Sequence, residues 1–310
     1  MEKLIARLDE LQRRNRPVAF LWAVQKKFND DQGGHLAALI TYYGFLSVFP
    51  LLLAAFTIVA YVLAGDQSAV SSLERHIGSY PIIGTAAREL EGKSLEGSPI
   101  ALAVGVLGLI WGAQGLAQIA QYSMDEAWNV AHTQRPGFVP RLLRTLAWYS
   151  IFGVGVLAST FVSSLGSWLH WNGGPALSSL LAFVVSIALF TSSFWILSPP
   201  GVGIGDHLPG AIAAGAAWSI LTGVGVGLAH RLAHTNALYG TFAPILGFLA
   251  IIYLTARITV LSIEANVVRR HRLWPRSLTD KDLTPADCQQ LESLATRQAR
   301  IRPESVRVDF

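Results

Sequence analysis

Apolar positions fall into six long blocks separated by shorter polar stretches. They run from about Leu36 to Ala64, Pro99 to about Tyr122, Leu142 to about Leu165, Ala176 to Leu197, Leu208 to about Leu228, and Phe242 to Val268. Each exceeds the ~20 residues needed to cross ~30 Å of hydrocarbon. The first and sixth are long enough to tilt or to project beyond the bilayer. Continuous runs of this kind exclude a closed β-barrel, whose strands alternate over ~10 residues. The pattern predicts an all-α, polytopic membrane protein with six transmembrane helices. It divides the chain into an N-tail (1–35), a transmembrane domain (36–268) and a C-tail (269–310).

The flanking segments have their own pattern. Residues 1–35 contain no continuous apolar core of the kind a signal peptide needs. Leu4, Leu8 and Leu11 share a helical face, and after Pro17 a second stretch sets Phe20, Trp22 and Phe28 beside Lys26 and Lys27. Both fit amphipathic helices in the cytoplasmic interface, with apolar faces toward lipid and cations toward headgroups. A helix packed on protein fits the first stretch equally well. The 66–98 loop is the one sizeable external piece, and its Leu73, Ile77 and Pro81–Ile83 suggest short amphipathic helices over the outer mouth. The Trp168–Pro175 turn places two tryptophans at the outer headgroup level. Leu283, Leu291, Leu294 and Ile301 among the C-tail charges predict one short helix with a frayed end.

Composition agrees with the blocks. Hydrophobic residues make up 52% of the 310 and charged residues 14%, against a globular norm of roughly 25% charged; mean hydropathy is +0.41. The net charge of +4 would suggest nucleic acid if the cations formed a patch, but they lie in tails and short loops. With six spans, nineteen of the twenty-four Lys and Arg fall on the side holding both tails and four on the other. That bias puts both termini in the cytoplasm. A single cysteine, Cys288, excludes an internal disulfide and any Cys-based zinc site.

Polar residues inside the blocks are the candidate functional groups, because each needs a partner or an aqueous path. Arg257 and Glu264 share a face of the sixth span but stand roughly 10 Å apart at ~1.5 Å per residue, too far to pair directly. Glu264 lies near the cytoplasmic end, where Arg269 or another loop cation is the expected structural partner. Arg257 is deeper and suits either a structural pair or an anion contact. Gln114, Gln118 and Gln121 recur on one face of the second span, either as interhelical glue or as a polar lining. In the first span Tyr42, Tyr43 and Ser47 precede Pro50, whose ring should kink the helix and free backbone acceptors. Glycines such as Gly155 and Gly210 permit close helix approach, with hinging secondary.

Several of these residues resemble a known pattern. His35–Leu53, with Tyr42, Tyr43, Ser47, Phe49 and Pro50, resembles the opening signature of the YihY/BrkB family of bacterial inner-membrane proteins, with Leu46 in place of a usual Phe. Trp111-Gly112, Met124 to Asn129, Arg135, Leu208-Pro209-Gly210-Ala211, Tyr239-Gly240 and Ile263-Glu264-Ala265-Asn266 follow in the family's order. The resemblance covers about residues 20–270 and implies an inner-membrane, envelope-integrity protein with virulence-factor relatives.

Members of that family were formerly labelled ribonuclease BN, and the residues argue against the label. A hydrolytic nuclease needs clustered carboxylates for Mg²⁺, a zinc site or a His/Lys acid–base pair. His230 and His234 form the one close histidine pair, and HxxxH without an internal Glu is a weak metal signature. Asp30-Asp31 and Asp125-Glu126 are adjacent in sequence and point in different directions on a helix. The expectation is therefore a non-enzyme without metal or cofactor. Its partners are membrane lipids and an anionic amphiphile, not nucleic acid. The leading function is transport or flippase-like handling of such a molecule. The rivals are a non-transporting scaffold and an ion-coupled transporter using Glu264.

Overall fold

The computed structural model describes residues 9–10, 12–62, 99–168, 174–233, 242–279, 282–301 and 304–310. Residues 66–98, expected to form the external loop, most of the Trp168–Pro175 turn, the His230/His234 side chains and Tyr239-Gly240 lie outside the described residues. Among those described, regular structure is entirely helical. The helices are α1 (Arg16–Asp30), α2 (Gly33–Val62), α3 (Pro99–Ala127), α4 (Phe138–Trp168), α5 (Gly174–Leu197), α6 (Ile204–Ala233), α7 (Phe242–His271) and α8 (Pro285–Arg297). A single 3₁₀ turn, His132–Gln134, follows α3. The described part of each of the six apolar blocks falls on one long helix, from α2 to α7. Among the described residues, Ala176–Leu197 and Ile245–His271 are long and apolar enough to cross a membrane.

Contacts divide the chain into two units. The first comprises residues 1–37, 120–219 and 257–310, the second residues 38–119 and 220–256. The core of the first unit joins Met124 and Trp128, Phe194 and Leu197, Ala211 and Ala214, and Ile263 and Val267. The C-terminal end of α3 therefore packs with α5, α6 and α7. Within the same unit Gly155 of α4 faces Leu189 of α5, where an added Cβ would sit 2.0 Å from a Leu189 methyl. Close packing is what this glycine provides.

The N-terminal helix departs from the interfacial expectation. Pro17 starts α1 in its first turn, where a missing N–H costs nothing. The face it buries is Ala19, Ala23, Val24, Lys27 and Phe28. Ala23 and Val24 join Val268 and Leu273 beyond them, and Phe20 meets Trp274 edge-on at 5.4 Å between ring centres. Burying a side chain the size of Phe28 contributes about 1.5–3 kcal/mol, which α1 gains from protein. Lys26 and Lys27 do not face headgroups; both turn inward to carboxylates.

The C-tail also differs from a frayed helix. Thr284 and Asp287 form a reciprocal capping box at the start of α8, with Pro285 in its first turn. The residues α8 buries are Ala286, Asp287, Gln290 and Arg297. That stripe is polar, so α8 docks through hydrogen bonds and charge rather than through its leucines.

Candidate functional site

The residues α1 and α8 turn inward meet the ends of α3 and α7 in one buried charge network. Lys27, fully buried, contacts Asp31 one turn later and Glu264 of α7 at 2.9 Å. Its ammonium also donates to the Ala127 carbonyl at 2.7 Å. Burial opposes a charge there, yet Glu264 and Asp31 hold the ammonium above the ordinary lysine range. Arg297 reaches in from α8, donating to Asp31 at 2.8 Å and to the Glu126 carbonyl at 2.9 Å, with the Glu126 carboxylate at 3.0 Å. Arg135 closes on Glu126 at 2.6 Å. Burial raises the Glu126 carboxyl, but Arg135 and Arg297 outweigh it and leave the group below its ordinary value. Three carboxyl groups and three basic groups thus share one buried site. Such a network is weakly stabilising as a whole and costly to break at any one member.

A second pair of carboxylates ties the tails together. Arg276, 1% exposed, bridges Asp30 at 2.7 Å and Asp287 at 2.8 Å. Lys26 joins Asp287 at 3.1 Å and donates to the Ser277 carbonyl at 2.9 Å. Asp30 and Asp31 therefore serve different partners, as their divergent directions require.

Glu264 is paired, but its cation is Lys27 of the N-tail rather than Arg269. Arg257 stands apart from the network. It is exposed, its guanidinium lies 5.7 Å above the Phe28 ring, and it contacts no carboxylate among the described residues. Gln121 is buried and donates to the Thr145 hydroxyl at 2.9 Å, joining α3 to α4. It is glue. Gln118 is exposed and Gln114 half-buried.

Tyr42, Tyr43 and Ser47 belong to the second unit. Tyr42 is 56% exposed and meets Tyr43 edge-on at 5.2 Å. The Ser47 hydroxyl donates to the Gly44 carbonyl at 2.7 Å, one turn before Pro50, and α2 continues through position 50. A Cβ on Gly112 would lie 3.1 Å from the Ser47 Cα, so this glycine allows α2 and α3 to touch at backbone distance.

The family model for virulence factor BrkB matches residues 24–285. The chain belongs to the virulence factor BrkB family. A Bacillus subtilis protein named "Putative ribonuclease-like protein YfkH" is 21% identical over 277 residues, covering 82% of this chain and 96% of that protein. An uncharacterised protein of Dickeya dadantii is 26% identical over 266 residues, covering 76% and 78% respectively. No solved structure matches.

BrkB membership gives two of the motifs a physical meaning. The Leu208–Ala211 motif and the Ile263–Asn266 motif touch: the Gly210 N–H donates to the Asn266 side-chain oxygen at 2.7 Å. Pro209 breaks the backbone ladder inside α6, and Asn266 of α7 supplies an acceptor one residue later.

Sequence reasoning missed Lys27, Asp31, Glu126, Arg276, Asp287 and Arg297 as a group. Two local signals were available: the i,i+4 spacing of Lys27 and Asp31, and the Thr284-Pro285-Ala286-Asp287 helix start. Their long-range partners had no local signature.

Asp287 makes the tail contacts pH-dependent. Burial raises its carboxyl, but N–H groups of Ser277 and Thr284, the Thr284 hydroxyl and Arg276 hold it well below the ordinary aspartate value of 3.8. A depressed pKa contributes stability that is present above the unfolded value and lost as pH falls through the folded one. Hydrogen exchange of the α8 amides should therefore accelerate as pH drops below about 3.8, after correction for intrinsic rates. Asp287→Asn should weaken docking by about 2 kcal/mol at neutral pH and flatten that acid dependence. An unchanged acid profile in the variant would assign the effect to another group.

Proposed function

We propose that the chain is a multi-pass protein of the bacterial inner membrane with six spans (α2 to α7), both termini cytoplasmic and 66–98 external. Its role is to handle an anionic amphipathic envelope molecule. Arg257 carries this reading. A guanidinium midway along an apolar helix is tolerable only when wet, paired or liganded. Here it is exposed, lacks a carboxylate among the described residues and rests on an aromatic face. A cation–π contact contributes about 0.5–2 kcal/mol and leaves the N–H donors available to a phosphate or carboxylate headgroup.

The test joins two measurements on Arg257→Gln. Thermal stability in detergent should change by less than about 1 kcal/mol, because no buried anion is stranded. Translocation of a fluorescent anionic lipid in proteoliposomes should be abolished. Undiminished translocation would remove Arg257 from the mechanism.

A scaffold is the second reading, favoured by Gln121, whose amide nitrogen donates to Thr145, and by Glu264, which contacts Lys27. The ribonuclease wording in the Bacillus relative's name is not carried over. Asp31, Glu126, Glu264 and Asp287 each contact Lys or Arg, which neutralises their charge instead of pooling it for Mg²⁺.

A further inference from the structure

The end of α7 carries a cluster of cations outside the buried network. Arg269, Arg270, His271 and Arg272 are all exposed. Arg270 reaches Asp206 of α6 at 3.5 Å and stays 52% exposed at the side chain. Among the described residues, neither Arg269 nor Arg272 contacts a carboxylate within 4 Å.

The backbone holds one of these side chains at a cost. Two hydrogen bonds close α7: the Leu273 N–H donates to the Val268 carbonyl at 3.0 Å, and the Arg272 N–H to the Arg269 carbonyl at 3.4 Å. Leu273 and Val268 are buried in the same apolar cluster. This combination of bonds and apolar contact is a helix stop in which the residue before the sealing leucine turns left-handed, a place where glycine is preferred. Residue 272 has a φ of 54°. It is an arginine, whose Cβ crowds the following carbonyl in that conformation. The negative end of the helix dipole is already answered by Arg269 and Arg270 in the last turn. Glycine at 272 would therefore serve the fold better, and the benefit of an arginine lies outside the chain.

Position narrows the partner. Ile245–His271 is long and apolar enough to cross a membrane, and Arg272 is the first residue past that stretch. Trp274 follows two residues on, half-buried and edge-on to Phe20. Aromatic rings placed so close to the end of a span sit in the headgroup layer. On the six-span reading this layer belongs to the cytoplasmic leaflet, whose anionic lipids attract basic clusters. We infer that Arg269 and Arg272 hold the headgroup of an anionic phospholipid at the cytoplasmic end of α7. The inference rests on α7 spanning the membrane and uses nothing of the role proposed for Arg257.

The full chain is first floated with phosphatidylcholine vesicles. It is then titrated in detergent with dioleoylphosphatidylglycerol or dioleoylphosphatidylcholine while its melting temperature is followed. Phosphatidylglycerol should raise that temperature saturably, and phosphatidylcholine should not. Without lipid, Arg272→Gly should melt about 2 °C above the wild type, because the left-handed strain is gone. The same variant should bind phosphatidylglycerol roughly fivefold more weakly, and adding Arg269→Gln should extend the loss beyond roughly tenfold. Arg307→Gln, which removes a charge from the exposed C-tail, should leave affinity unchanged. A lower melting temperature in Arg272→Gly would give the side chain a structural role and overturn the proposal. So would full affinity in the double variant. Inorganic phosphate or an RNA oligonucleotide that reproduced the whole shift would overturn it too, by making the ligand a soluble anion. Protein that does not float with the vesicles would overturn the spanning reading and the site together, whereas floating protein with equal responses to the two lipids would overturn the site alone.

Discussion

Replacing Lys27 with methionine should lower stability by about 3–5 kcal/mol, because it removes the basic partner of two buried carboxyl groups. Methionine matches the length and apolar stem of lysine, so packing around Ala23, Val24 and Phe28 is retained and the loss reports charge. Two carboxylates are affected, since Asp31 and Glu264 are both 0% exposed at the side chain and both contact the ammonium. Asp31 keeps Arg297 at 2.8 Å, whereas Glu264 has no other cation in contact among the described residues. The companion variant Lys27→Met with Glu264→Gln should therefore recover part of the loss by removing the stranded charge. Thermal unfolding in detergent on the single and double variants gives the coupling directly. Strict additivity of the two changes would mean that the pair does not form.

Gly210→Ala should be nearly as damaging, although it adds one methyl. A Cβ at this position would stand 2.1 Å from the Ser262 carbonyl oxygen and 2.5 Å from the Asn266 amide nitrogen. The first neighbour is backbone of α7, so α6 itself must shift. Overpacking of this kind costs about 1–3 kcal/mol, and displacement also breaks the 2.7 Å bond to Asn266, adding about 1 kcal/mol. Gly205 in the first turn of the same helix is the control. Its added Cβ meets nothing within 4 Å, so Gly205→Ala should be neutral or stabilising by up to about 1 kcal/mol. Equal melting temperatures for the two variants would show that α6 and α7 do not approach at Gly210.

The helical class and the extents of the long helices were legible because hydropathy is a property of contiguous residues. Ala176 to Leu197, for instance, reads as one apolar run and is the body of α5. The charge network was not legible for the opposite reason. Lys27 and Glu264 are separated by most of the chain, and each in isolation looks like an interfacial residue. Hydropathy also points the wrong way at α8, whose buried side is Asp287, Gln290 and Arg297 while Leu291 is exposed. Gln121 shows the intermediate case. Its spacing with Gln114 and Gln118 marks a polar face, but only the partner, Thr145, decides that this amide joins helices.

Synthesis proceeds in the N- to C-terminal direction, and the buried network draws on segments far apart in that order. Lys27 and Asp31 emerge first, and only their one-turn pairing is available to them while most of the chain is still being made. Glu264 arrives more than two hundred residues later, and Arg297 another thirty-three after that. Until then Asp31 and Glu126 must stay hydrated, so the first unit cannot close dry around them. Contacts this distant in sequence are slow to form. Helix α8 therefore acts as a late check: a nascent chain that has not yet supplied it keeps these charges wet and α1 loosely held. That open form is one a membrane protease can distinguish from the finished protein.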